Sequence, residues 1–103
     1  MGNATSFLFF SMAITSAGTP EQLTQYFIPA DLEVVIVARR SNTQNIYLAN
    51  TSANALLTGS RKVLIPGQST SMQVDDTSKI WFDSDNTNDR LEVTVQRRPS
   101  TGG

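Results

Sequence analysis

Val63 to Gln96, VLIPGQSTSMQVDDTSKIWFDSDNTNDRLEVTVQ, is the stretch from which the fold class follows. Leu91, Val93 and Val95 alternate strictly with Arg90, Glu92, Thr94 and Gln96. Met72 shares a face with Val74, and Ile80 with Phe82. A side-chain period of two with one apolar face is that of a half-buried strand. Asp75-Asp76-Thr77-Ser78 and Asp85-Asn86-Thr87-Asn88-Asp89 separate the three runs. Such short polar side chains bond to nearby backbone and favour a turn over strand continuation. The stretch predicts three consecutive antiparallel strands, paired as a meander.

Working outward, Lys62 to Ile65 leads into this stretch and Pro66-Gly67 is a turn signal. Upstream, Asn50 to Gly59 is small and polar and reads as a loop anchored by Ala55-Leu56-Leu57. Ile46 to Ala49 predicts a short strand, preceded by a polar turn at Asn42 to Asn45. In Leu32 to Arg40, Val34, Val35, Ile36 and Val37 are contiguous, and all are β-branched. That run predicts a central strand with both faces buried. Ile28-Pro29-Ala30-Asp31 breaks the chain again. Glu21 to Ile28 fits neither period; it reads as an irregular strand in preference to a helical turn capped at Thr19 with Pro20 first. Ser16 to Pro20 is a turn.

In the first run, Leu8, Phe10, Met12 and Ile14 fall on one face, with Phe7 and Phe9 on the other. Two readings stand: an ordinary strand with both faces partly covered, or an edge strand whose second apolar face packs on another subunit. Exposed Phe on an edge strand otherwise invites aggregation. In all, about eight short strands with Gly, Pro or Asx turns predict an all-β fold. The expected architecture is a small antiparallel β-sandwich or jelly-roll-like barrel over residues 7–98. Residues 1–6 are expected to form a flexible arm and 99–103 a disordered tail.

Composition narrows the function. With 103 residues the chain makes one domain with a modest core. Charged residues are only 17% against 39% hydrophobic, so Ser, Thr, Asn and Gln must dominate the surface. A net charge of −1 argues against nucleic acid as a partner. The chain has neither Cys nor His, which removes disulfides, thiolate nucleophiles and imidazole acid–base chemistry together. The missing disulfides suit assembly in a reducing cytoplasm, or stabilisation by oligomerisation. The apolar run at Phe7 to Ile14 is not expected to be a signal-peptide core, because no cation precedes Arg39. It is also too short to span a membrane.

Asp75, Asp76, Asp83, Asp85 and Asp89 form the only chemical constellation. Asp83 to Asp89 resembles a calcium loop but lacks its glycine and its distal glutamate. Turn capping explains these acids better than weak calcium binding or a glycosidase pair. No metal, cofactor or catalytic residue is expected. Arg39-Arg40 and Arg97-Arg98 end strands, where they either re-enter water or pair with an acidic partner surface. Trp81 points away from the face of Ile80 and Phe82, so it covers the second side of its sheet or anchors an interface. The candidate interface is therefore Phe7, Leu8, Phe9, Phe10, Arg39, Arg40, Trp81, Arg97 and Arg98.

Leu64-Ile65-Pro66-Gly67-Gln68-Ser69, leading to Val74-Asp75-Asp76-Thr77-Ser78-Lys79-Ile80 and Asp83-Ser84-Asp85, resembles a pattern in small virion proteins of tailed bacteriophages. Ala13 to Leu23 and Leu32 to Tyr47 are similar to the same group, so the likeness covers about Ala13 to Val95. The Phe7 to Phe10 lead-in is not part of the pattern. The resemblance is to head decoration (cement) proteins. It implies a β-rich homotrimer that binds the major capsid protein on the outer capsid surface, made in the host bacterial cytoplasm, without enzymatic activity. A tail, neck or head-fibre component is the alternative within that biology. Outside it stands a carbohydrate- or calcium-binding β-sandwich.

Overall fold

The computed structural model describes residues 8–97; the expected arm at 1–6, Phe7, Arg98 and the expected tail at 99–103 lie outside the described residues. Eight strands follow in chain order: β1 (Leu8–Ala13), β2 (Glu21–Gln22), β3 (Leu32–Ala38), β4 (Ile46–Ala49), β5 (Lys62–Leu64), β6 (Ser69–Met72), β7 (Trp81–Ser84) and β8 (Arg90–Arg97). One helical turn, α1 (Ser52–Ala55), joins β4 to β5, and a 3-10 turn at Thr77–Lys79 precedes β7. The strands form two four-stranded sheets, ordered β1-β8-β3-β6 and β2-β7-β4-β5. All pairings are antiparallel.

Four of these pairs are β1 with β8, β2 with β7, β3 with β6 and β4 with β5. They trace one long antiparallel ribbon, and rolling it up adds the β3–β8 and β4–β7 pairs. This is a jelly roll, the all-β sandwich expected from the strand pattern.

The meander does not form. β6 is an edge of the first sheet beside β3, β7 lies in the second sheet, and β8 is back in the first between β1 and β3. Alternation fixes which face of a strand is buried, and either sheet of a sandwich satisfies that requirement. It does not specify the bonded neighbour. Here the polar segments between the runs carry the chain across from sheet to sheet.

The core lies between the sheets. Val34, Ile36 and Ala38 of β3 and Leu91, Val93 and Val95 of β8 meet Ile46, Leu48, Leu64 and Phe82, all at most 3% exposed. β3 is central, as its sequence predicts, but only Leu32, Val34, Ile36 and Ala38 are buried. Glu33, Val35 and Val37 are half-buried on the outside of the sandwich, which corrects the expectation of two buried faces. Pro66-Gly67 turns as expected, with Gly67 at φ 90° and the Gln68 N–H donating to the Ile65 carbonyl at 2.9 Å. Positive φ there suits glycine.

Glu21 to Ile28 is the irregular strand its sequence predicts. After two ladder residues it follows residues 75–80 through single bonds. The Leu23 N–H donates to the Ile80 carbonyl at 3.0 Å, and the Ile28 N–H to that of Asp75 at 2.9 Å. Buried Thr77 fixes the middle: its hydroxyl accepts the Tyr26 N–H at 2.8 Å and donates to the Thr24 carbonyl. The loop after β4 differs from expectation. Thr51 caps α1 by accepting the Asn54 N–H, and only Ala55 is buried, whereas Leu56 and Leu57 are 52% and 53% exposed.

Candidate functional site

Each of the five clustered acids is engaged by the fold. Asp76 caps the 3-10 turn, accepting the Ser78 N–H at 2.8 Å and the Gln25 amide at 2.9 Å. The Gln25 amide and the Ser78 donors hold its carboxyl below the usual range. Asp75 pairs with Lys79 at 2.7 Å. Asp83, 2% exposed, accepts the Gly18 N–H at 3.0 Å and so ties the β1–β2 turn to β7. Asp85 accepts the Tyr47 hydroxyl at 2.6 Å. That bond, helped by burial and by the charge on Asp85, pushes the phenol above its ordinary pKa. Asp89 accepts the N–H groups of Thr43 and Gln44 at 3.0 and 2.7 Å, and the Asn86 amide at 2.8 Å.

Asp76, Asp83 and Asp89 accept backbone N–H groups, Asp85 the Tyr47 hydroxyl and Asp75 the Lys79 ammonium, each with its own partners. Among the described residues no group of three or more acidic side chains is arranged to hold a metal ion. The melting temperature is therefore expected to agree within error between excess EDTA and excess calcium. A clear rise with calcium that Asp85→Asn abolishes would assign the loop at 83–89 to calcium instead.

The candidate interface residues are scattered. Leu8 and Phe10 pack against the core, and the Phe10 ring lies 5.2 Å from that of Tyr26. Phe9 is 69% exposed on the outer side of β1, which is an edge strand as the second reading requires. Arg39 pairs with Glu92 at 2.9 Å on the outside of the first sheet. Exposed Arg40 has its side chain beside the Gly67 turn, and Arg97 is exposed at the far end of β8. Trp81 is half-buried on the second sheet, next to Phe82. Phe7 and Arg98 lie outside the described residues.

The outer face of the second sheet is covered over β4 and β7, while Val63 of β5 stays 41% exposed. Tyr47 is 7% exposed beneath the Arg61 guanidinium, which sits 3.5 Å from its ring centroid. Arg61 also donates to the Ala55 carbonyl at 3.1 Å, closing α1 over β4 and β7.

Exposed apolar groups concentrate elsewhere. Strands alternate in direction, so the β2–β3, β4–β5 and β6–β7 connections share one end of the sandwich with the start of β1 and the finish of β8. Tyr26, Phe27, Leu56 and Leu57 sit in two of those connections, 37%, 77%, 52% and 53% exposed. Phe27 also lines a cleft of about 380 Å³ with Ile28, Pro29 and Val74. Sequence reasoning missed this end, because Leu56-Leu57 read as an anchor and Phe27 as part of a strand. Apolar character alone does not separate a buried loop residue from an exposed one.

No helix among the described residues is long and apolar enough to cross a membrane. Comparisons with protein-family models, curated proteins and solved structures find no match to this chain.

Proposed function

We propose that the chain is a non-enzymatic structural module that self-associates and docks on a larger protein shell, as a phage head decoration protein does. The resemblance in Ala13 to Val95 supplies the partner, a major capsid protein on the outer surface of the head, and the trimer. The observation that carries the reading is the loop end where Tyr26, Phe27, Leu56 and Leu57 stand in water. Fully burying one such side chain is worth roughly 1.5–3 kcal/mol. Several together offer enough to offset part of the cost of association. Binding only the assembled shell then stabilises it by mass action.

A lectin reading finds less support. Tyr47, whose hydroxyl reaches the acidic loop at 83–89, lies under Arg61, and Trp81 is half-buried, so neither of these rings lies open beside that loop.

The double variant Phe27→Ser, Leu57→Ser is expected to keep the circular-dichroism spectrum of the sandwich while losing self-association or shell attachment. Unchanged association, or outright unfolding, would show that these side chains do not form a docking end.

A further inference from the structure

On the side of the sandwich bounded by the edge strands β5 and β6, the sheets part over a small apolar pocket. Leu48 and Ile80, each 3% exposed, form one wall, and Met72 and Val74 of the other layer form the second. Lys62 and Lys79 also line it. The register places Lys62 opposite Leu48 and on the same side of β5 as fully buried Leu64, so its stem starts from the inward face. A long cationic side chain there lays its methylenes on apolar surface and brings its ammonium out to water.

Lys62 makes no ion pair among the described residues, whereas Lys79 is paired with Asp75. The mouth therefore keeps one net positive charge above an apolar floor. An inward-pointing charge also guards an edge strand against mispairing, but that role needs no pocket beside it. The cavity volume is about 180 Å³. That suits a short aliphatic chain, and the apolar walls offer no hydrogen-bonding partners for the hydroxyls of a sugar.

We infer that this pocket binds a short-chain aliphatic carboxylate, its chain on Leu48, Ile80, Met72 and Val74 and its carboxylate at Lys62. The site is separate from the exposed loop residues of the docking end, and the inference does not depend on that reading. It is tested by following the methyl resonances of Met72 and Ile80 while adding sodium hexanoate, hexanol or hexylammonium chloride to the intact protein. Hexanoate is expected to give saturable shifts, binding about tenfold more tightly than the amine of equal length. Lys62→Gln, an exposed substitution, should weaken hexanoate about fivefold and leave hexanol unchanged. Equal affinity for the three probes, no saturation with hexanoate, or an unchanged hexanoate affinity in Lys62→Gln would each overturn it.

Discussion

Phe82→Ala is expected to destabilise the protein by about 3–5 kcal/mol. Phe82 is fully buried at the centre of the second sheet, its backbone paired with Leu48 on one side and Glu21 on the other. Its ring reaches into the core shared with Val34, Ile36, Leu91 and Val93. Removing it loses the transfer free energy of the ring and leaves a void that two packed sheets cannot close. Domains of this size hold only about 5–15 kcal/mol in total, so the variant should sit near its unfolding transition at ambient temperature. Urea denaturation measures this directly. The neighbouring Trp81→Ala, on a half-buried side chain facing the other way, should cost visibly less. A Phe82→Ala cost below about 1 kcal/mol would mean that the sheets do not pack around this ring.

The second large effect is expected at Asp89. This residue is 4% exposed in the β7–β8 turn and binds the β3–β4 turn through the N–H groups of Thr43 and Gln44. Asp89→Ala strands those donors and the Asn86 amide. Thr43 and Gln44 are exposed and Asn86 half-buried, so water takes over part of what Asp89 accepted, and the sum should be about 1–3 kcal/mol.

The effect carries a pH signature. Burial is the largest single influence on this carboxyl and opposes its ionisation, but the Thr43 and Gln44 N–H groups and the Asn86 amide together outweigh it. The carboxyl is held below its usual range, so the folded state favours the anion. Its stabilisation is then complete above the unfolded value of about 4 and is lost as pH falls through the lower folded value. The gap between wild type and Asp89→Ala should be widest near neutrality and shrink on acidification. A gap constant across that range would contradict the assignment.

The parts of the fold visible in the sequence are those where one residue decides its own environment. Leu91, Val93 and Val95 alternate in burial as they alternate in sequence, whereas β3 alternates in burial although its contiguous Val34 to Val37 run does not announce which face is inward. Pairing was not visible, because Met72, Phe82 and Val93 would present the same apolar faces in a meander as in a jelly roll. The jelly roll is set by contacts far apart in sequence, such as Gly18 with Asp83 and Thr43 with Asp89. Tyr47 and Asp83 show the same limit. They occupy outward register positions yet are buried, Tyr47 under Arg61 and Asp83 bound to Gly18, and nothing in Ile46 to Ala49 announces a cover. Turn capping by Asp76 was legible, since Asp seeks local backbone donors whatever the topology, but Gly18, Tyr47 and Thr43, the partners of Asp83, Asp85 and Asp89, lie far along the chain and were not. The exposed loop residues were not, since their surroundings depend on which connections share an end.

Sedimentation equilibrium of the purified protein at micromolar concentration bears most directly on its being an assembling module. The predicted mass is a multiple of the 11.2 kDa chain, three-fold by the resemblance to decoration proteins, falling toward the single chain in Phe27→Ser, Leu57→Ser. A wild-type mass of 11.2 kDa at every concentration would contradict it.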